Sequence, residues 1–556
     1  MKKTKQPLAF KRCPWSKYYS EKMLYSPEEA EIPIFQWLDE AADQFPEKIA
    51  LSYNDFEIDF RTLRKLSLNF SNGLKDMDLK RGDRVILMLP LSIHFAVTFF
   101  GLLKVGIIAV PLNPQFTSNE LEYYLKDLQP KLIVVLKNFE NKVKDAMSNS
   151  FLKVKIVTVD DLNIIENLKS KKDKNNKNKD ILSFENILSD KEEFRDEMIN
   201  PKEDIAAILY TGGTTGEPKG VMLSHFNICS YLISQTYHFG KFLGKKKALL
   251  VLPPHHIFGL CMIISSVFRK ASLLLLDKFN PEIVYRILKQ KKVEAFFGVP
   301  TTYAALVDYY VGGDKKAEQL IHLVFCLSGA SPISTQLWDH VKEMAPNAIL
   351  VEGYGLTEAS GGPLMDPVAK NYHKKIASVG IPIFNTEAKI IDPISGKVLS
   401  PGRQGEIITR GNNVFSGYWG KSELTKKALK KGWLYTKDIG KMDEDGIFFV
   451  EGRMDDMINV GGEKIWPREV EKVLEKHVKI KEVAVIGIKD DFYGEVIKAC
   501  IVIKKNQEAS EKELINFCRE RLVSFKVPKI IEFCKQLPKS HLGKVLHYKL
   551  REMKKH

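Results

Sequence analysis

The sequence predicts an α/β protein, with a large N-terminal domain over residues 1–454 and a small α+β domain over residues 455–556. Three observations predict it. Strand-length apolar runs, Arg84 to Leu89, Lys131 to Leu136, Lys247 to Leu252 and His322 to Leu327, alternate with helical patterns, as in parallel sheets covered by helices. From about Ile376 the texture changes to short alternating strands, with Asp392-Pro-Ile-Ser-Gly396 and Asp443-Glu-Asp-Gly446 placed as hairpin turns, which predicts a β subdomain over about 376–452. After Arg453 a helix, strand, strand, helix pattern follows. Pro467 suits the first turn of a helix carrying Val470, Val473 and Leu474, and Ser510 with Glu513 forms a capping-box pattern ahead of Leu514, Phe517 and Cys518.

Taken in order, the most apolar long stretch is Val85 to Pro114. Pro90, His94, Lys104 and Pro111 interrupt it, so it reads as a strand followed by a buried helix rather than a membrane span. Asn167 to Asp180, NLKSKKDKNNKNKD, has almost no apolar content and cannot offset its ordering entropy, so an exposed loop is expected there. The chain of 556 residues is too long for one core, and length alone suggests roughly three or four domain-sized units. Its 44% apolar and 28% charged residues are globular proportions.

A net charge of +15 invites phosphate-rich partners, but the lysines are scattered and no stretch combines dense arginine with aromatics. Nucleic acid is therefore not expected, and loose attraction to anionic lipid is left open. The seven cysteines are widely separated, with no C-x-x-C pair, and His225 with Cys229 lacks a second ligand pair. Free thiols in a reducing compartment are expected. The basic N-terminus, MKKTKQPLAFKRCPW, has no apolar segment behind its charges, so a cytoplasmic protein is expected, with peripheral membrane association left open.

The stretch YTGGTTGEPKG, Tyr210 to Gly220, carries four glycines, three threonines and a lysine between apolar runs. Glycine is the costliest residue to order, so four of them suggest sharp bends or close approach to a ligand, and the N–H groups, hydroxyls and ammonium suit phosphate. The stretch is not a G-x-x-x-x-G-K-[ST] loop, because Gly220 follows Lys219 and a strand follows the loop. In EGYGLTEASG, Glu352 to Gly361, Thr357 and Glu358 offer a hydroxyl and a carboxylate to triphosphate and magnesium. Asp438 in YTKDIG and Arg453 in EGRMDD suit ribose hydroxyls. Lys544 in PKSHLGKV could neutralise charge that develops during adenylyl transfer.

In order, YTGGTTGEPKG, LPPHHIFG, SGA, EGYGLTE, YTKDIG, EGRMDDMINVGGEKIWPREVE and PKSHLGK resemble the signature series of the AMP-forming acyl-CoA synthetases, within the adenylate-forming ligase superfamily. The resemblance runs from about residue 30 onward and excludes the lysine-rich loop. It implies doubly wound sheets flanked by helices, a small β-barrel-like subdomain and a mobile C-terminal domain. It implies two steps: a carboxylate attacks the α-phosphorus of ATP and releases pyrophosphate, then the thiol of coenzyme A displaces AMP. ATP, Mg2+, coenzyme A and a carboxylic acid are the implied small molecules, and a homodimer is left open.

Carried over onto this sequence, Thr211, Gly212, Gly213, Thr214, Thr215, Gly216 and Lys219 would grip the β- and γ-phosphates. Thr357 would contact the α-phosphate and Glu358 would hold the metal. Gly329, Ala330, Glu352, Gly353, Tyr354 and Lys464 fall on the nucleotide side, Asp438 and Arg453 on the ribose, and Lys544 is the lysine of adenylation. His256 lies near the carboxylate. Gly298, Val299, Thr302 and Gly355 line the acyl pocket, with glycine at 355 leaving room for a larger acyl group than acetate. Asp455 is the hinge, and Gly461-Gly462 lines the path of coenzyme A. Ser540, His255 and Lys464 depart from the usual threonine, aromatic and arginine.

The apolar pocket residues, with Asn385 to Ile390 and Val527 to Phe533, favour a medium- or long-chain fatty acid. Two other readings stay open: transfer of a fatty or aryl acid to a carrier protein, and a noncatalytic descendant. The second is expected to have lost Lys544 or Glu358, and both are present.

Overall fold

Strand side chains in the N-terminal part divide between two cores, and this division stacks the sheets. Val85 and Leu87 of Arg84–Met88 face a central core while Ile86 and Met88 face an outer one. Ala248 and Leu250 likewise point inward and Leu249 outward, and Phe296 and Cys326 lie on that same outer side. Successive side chains of a strand alternate faces, so a strand apolar at every position must be covered twice. The computed structural model describes residues 13–19, 27–162, 180–189, 198–211, 217–239, 244–312, 318–369, 371–490, 492–539 and 545–552.

Among these residues a sheet of eight strands runs Gly417–Tyr418, Lys219–Ser224, Ile205–Thr211, Ile108–Pro111, Arg84–Met88, Leu132–Leu136, Lys155–Val159, Ile181–Ser183. It is parallel from Ile205–Thr211 onward. The second sheet carries Ile49–Tyr53, Leu273–Leu275, Ala248–Leu250, Ala295–Gly298, Phe325–Ser328 and Ile349–Leu356 in parallel. Helices Ile34–Gln44, Phe60–Lys75, Ile93–Lys104, His225–Phe239 and Ile257–Phe268 fill the space between the sheets. Ser118–Leu128 and Glu140–Ser150 cover one outer face, and Pro281–Gln290, Pro300–Gly312 and Thr335–Met344 cover the other. This is the doubly wound α/β arrangement that the family resemblance implies.

Val85 to Pro114 forms a strand, a helix and a second strand. Every side chain of Ile93–Lys104 is buried, and the lysine at its end pairs with Asp39 at 2.7 Å. Among the described residues no helix is long and apolar enough to cross a membrane.

The antiparallel part begins earlier than the expected residue 376, at Gly361–Met365, and shares one sheet of fourteen strands with the parallel part. Ile349–Leu356 makes the change. Its first half is parallel to Phe325–Ser328, and its second half is antiparallel to Gly361–Met365. The two glycines and the proline of GGPLM carry no strand signal, and pairing on both sides makes it a strand. Both expected hairpin turns form, with Asp392 and Asp443 accepting N–H groups of their own turns and Gly396 and Gly446 at φ +68° and +80°.

In the C-terminal part, Ile480–Asp490 pairs with Gly494–Ile503, and Ile530–Phe533 lies parallel beside the latter. Pro467–Leu474 starts on its proline, and the Ser510/Glu513 capping box closes from both sides. The predicted helix, strand, strand, helix pattern leaves out a hairpin, Ile458–Val460 with Glu463–Ile465, which precedes it. The expected loop Asn167 to Asp180 lies outside the described residues except Asp180.

Candidate active site

Ile205–Thr211 and Lys219–Ser224 pair antiparallel, and the pairing ends with Thr211 opposite Lys219. The glycine-rich stretch therefore springs from a closed two-strand stem, as its apolar flanks predict. Gly212, Gly213, Thr214, Thr215 and Gly216 lie outside the described residues. The stem is fixed from behind, where the Tyr210 hydroxyl donates to Asp127 and the Tyr123 hydroxyl donates to the Pro218 carbonyl at 2.8 Å.

Asp438 and Arg453 are register partners on Trp433–Met442 and Phe448–Arg453, and their side chains pair at 3.3 Å. The Tyr354 hydroxyl donates to the other Asp438 oxygen at 2.5 Å. Burial drives the Tyr354 phenol well above its ordinary range, and Asp438 adds to the shift, so it stays a donor. Burial alone would lower the Arg453 guanidinium, but Asp438, Tyr354 and Glu358 raise it overall. Three residues remote in sequence thus share one charged cluster.

Thr357 opens the short turn Thr357–Ala359, and the next residue, Glu358, accepts from the Tyr418 hydroxyl at 2.9 Å. Ser328 lies opposite Glu352, so Gly329 comes beside Gly353, where a Cβ on Gly329 would meet the Gly353 carbonyl at 3.4 Å and the Phe258 ring at 3.5 Å. Ala330 is exposed and holds φ +72°. The Glu352 carboxylate is buried beside Lys374, at 3.1 Å, and accepts from the Ile333 N–H at 3.4 Å. Lys374 also reaches Asp366 at 2.7 Å, so the Glu352 side chain belongs to a buried ionic group behind the strand.

A cavity of ≈ 700 Å³ opens at the carboxyl ends of parallel strands from both sheets, with Leu91, Asn113, Phe139, His255, Val299 and Thr302 among its walls. Crevices at that end are the usual ligand sites of α/β sheets, because the crossover loops diverge there. Gly298 lies just before Val299, and a Cβ there would meet Thr302 at 3.3 Å. None of the described nucleotide-side residues lines this cavity. One short segment connects the two regions: His255 faces the cavity, His256 stands at the N-cap position of Ile257–Phe268, and the Phe258 ring packs against the Gly329 position. Gly355 is exposed, and a Cβ there would come within 2.9 Å of the Gly361 carbonyl, so glycine also lets the neighbouring strand close.

Asp455 accepts from the Lys437 ammonium at 3.3 Å between the two parts of the chain. Gly461 and Gly462 form the exposed tip of the Ile458–Ile465 hairpin at φ +60° and +95°, a region glycine enters at little cost. Gly461 donates to the Tyr493 carbonyl at 2.8 Å. Lys464 lies in Glu463–Ile465 opposite Asn459, and its side chain is outside the described residues, as are Ser540 and Lys544. Lys539 and Val545, on either side of Ser540 and Lys544 in sequence, form an antiparallel bridge.

The family model for AMP-binding enzymes matches residues 38–419, and the model for the AMP-binding enzyme C-terminal domain matches residues 469–544. The chain belongs to the AMP-binding enzyme family. It is 35% identical to a long-chain-fatty-acid–CoA ligase of Bacillus subtilis, covering 97% of this chain and 98% of that one. ATP-bound MatB from Rhodopseudomonas palustris superposes with a TM-score of 0.82 at 26% identity, covering 94% of this chain and 98% of that one. The o-succinylbenzoate CoA synthetase of Bacillus subtilis, in complex with its acyl-adenylate intermediate, has a TM-score of 0.77 at 26% identity, covering 93% and 98%. ATP use by this AMP-binding enzyme is consistent with these neighbours.

For this AMP-binding enzyme the donor set also bears on magnesium. Among the described residues no three His, Cys, Asp or Glu side chains gather as a protein-only metal cage. Mg2+ needs only one or two carboxylates when phosphate oxygens and water complete its shell, and Glu358 beside the glycine-rich stem fits that role. The sequence reading missed Tyr418 and Phe258. Tyr418 sits in SGYWGK, where one aromatic after a glycine carries no periodic signal, and Phe258 lay unremarked inside LPPHHIFG.

Proposed function

We propose that this enzyme activates a medium- or long-chain fatty acid with ATP and transfers the acyl group to coenzyme A, giving acyl-CoA, AMP and pyrophosphate. The observation that carries the reading is the His255-His256-Ile257-Phe258 segment, which joins a cavity of ≈ 700 Å³ to the Gly329/Gly353 edge of the nucleotide cluster. A fatty tail in the cavity would bring its carboxylate to His256, within reach of an α-phosphate beside Thr357. Asp438, held by Tyr354 and Arg453, is oriented to accept ribose hydroxyls. Thr211 to Gly216 and Lys219 would cradle the leaving pyrophosphate.

Glu358 would hold magnesium carried on the triphosphate, which supplies positive charge where two anions meet. Lys544 would bring a further ammonium to the α-phosphate, worth most where water is excluded. Asp455 would be the pivot about which the C-terminal part turns between steps, so that the Gly461-Gly462 hairpin replaces Lys544 and lines the pantetheine path. The boundary between residues 454 and 455 follows from that pivot. The name of the Bacillus subtilis relative supports both the fatty acid and coenzyme A as acceptor.

The test is a panel of apolar acids incubated with ATP and magnesium, scoring AMP and pyrophosphate with and without coenzyme A. Acyl-CoA and AMP from acids of medium or long chain are expected. ADP, or turnover with a carrier protein and none with coenzyme A, overturns the reading.

A further inference from the structure

The segment Ser416 to Lys421 clasps the stem of the glycine-rich loop from a distant part of the chain. Gly417–Tyr418 pairs antiparallel with Met222 and Val221, adding an edge to the eight-stranded sheet beside the strand that leaves the loop. The Trp419 N–H donates to the Gly220 carbonyl at 2.8 Å, and its indole N–H donates to the Asp127 carbonyl at 3.2 Å. Lys421 donates to the Pro218 carbonyl at 3.3 Å and to the Tyr123 hydroxyl at 3.0 Å. These contacts fix the backbone from which Tyr418 projects.

Tyr418 itself points the other way. Its hydroxyl donates to Glu358 Oε1 at 2.9 Å, and the Lys219 ammonium lies 5.8 Å from its ring centroid. The Phe415 N–H donates to the Glu358 carbonyl at 2.9 Å, and the Phe415 ring meets Tyr418 edge-on at 4.9 Å. Glu358 is therefore held at backbone and side chain by one stretch. Burial, then the neighbouring carboxylate, push the phenol above its ordinary range, so it remains a donor. A lysine on a four-carbon stem and a glutamate with free torsions lose much rotamer freedom on binding a ligand. A ring face attracts the first and a charge-assisted hydrogen bond fixes the second, so part of that loss precedes binding.

We propose that Tyr418 is a positioning residue for the first half-reaction, holding the Glu358 carboxylate and the Lys219 ammonium in place on one side chain before the magnesium-bound triphosphate arrives. The inference rests on the proposed roles of Glu358 and Lys219. It adds the residue that links the two, which no motif in the sequence marks.

The test is a double-mutant cycle read by calorimetric binding of α,β-methylene-ATP with magnesium, alongside kinetics. Tyr418→Phe keeps the ring and deletes the donor. About tenfold weaker analogue binding is expected, the scale of one charge-assisted hydrogen bond, with a raised KM for ATP and unchanged KM for fatty acid and coenzyme A. In a Glu358→Gln background the same change should cost nothing further. Tyr418→Leu, which also removes the ring beside Lys219, should weaken binding more than Tyr418→Phe. Unaltered binding by Tyr418→Phe while Glu358→Gln binds poorly overturns the inference and leaves the Glu358 reading standing. An equal Tyr418→Phe effect in both backgrounds, or a uniform loss of kcat with a lowered Tm and unchanged KM for ATP, also overturns it. Full analogue and magnesium affinity in Glu358→Gln removes the Glu358 reading and the inference together.

Discussion

Asp438 and Arg453 stand directly opposite each other on two paired strands and join through an ion pair of 3.3 Å, with the Tyr354 hydroxyl on the second carboxylate oxygen. Strand pairing, rather than loop placement, sets this geometry. Asp438→Asn removes the charge from both contacts and should raise the KM for ATP roughly ten- to a hundredfold, the range for losing charge-assisted hydrogen bonds. Steady-state kinetics at saturating fatty acid check it, and an unmoved KM would exclude Asp438 as a ribose ligand.

Lys544→Ala should nearly abolish ATP–pyrophosphate exchange, by about a hundredfold or more, since one donor aimed at developing charge is worth that much. Thioester formation from supplied acyl-adenylate should survive. Equal damage to both half-reactions would argue against a C-terminal part that alternates between two placements.

Gly259 packs against backbone. A Cβ there would lie 2.2 Å from the Pro253 carbonyl oxygen and 2.7 Å from that of Leu252, and neither atom can rotate away. Gly259→Ala should destabilise by about 1–3 kcal/mol, the usual cost of overpacking, and shift the helix that carries Phe258. Denaturant unfolding and the KM for fatty acid should change together. Normal stability with a normal KM would remove this segment from the acyl site.

Glu352 has a pH signature. Burial raises its carboxyl from about 4.5 to about 7, with Lys374 opposing and Asp366 adding to the rise. The folded state thus keeps a proton that the unfolded chain has released. Its contribution to stability is complete below about 4.5 and is lost as pH climbs through about 7. Glu352→Gln should flatten the fall in Tm across that window, and an unchanged slope would place the titration elsewhere.

The sequence made the strand positions legible because each run of apolar residues needs cover whatever its partners. Arg84–Met88, Leu132–Leu136 and Ala248–Leu250 all fall within a residue or two of their predicted limits. Gly361–Met365 was not legible, since two glycines and a proline form a strand only because Ile349–Leu356 offers a free edge. The hairpin at Gly461-Gly462 was missed for a similar reason. Its two short strands carry little periodicity, and one of them gains support from Gly494.

At the site, local chemistry named Thr357, Glu358, Asp438 and Arg453 as candidates, since each residue type announces what it can bind. Sequence by itself therefore determined the α/β class, the closed stem of the glycine-rich stretch and the family. Only the tertiary structure decided that Tyr418 reaches Glu358 and Lys219, that Phe258 meets Gly329, and that Glu352 turns to Lys374. Periodicity reports which face of an element is buried. Which distant element covers that face depends on sheet order and register, and no local run of residues encodes either.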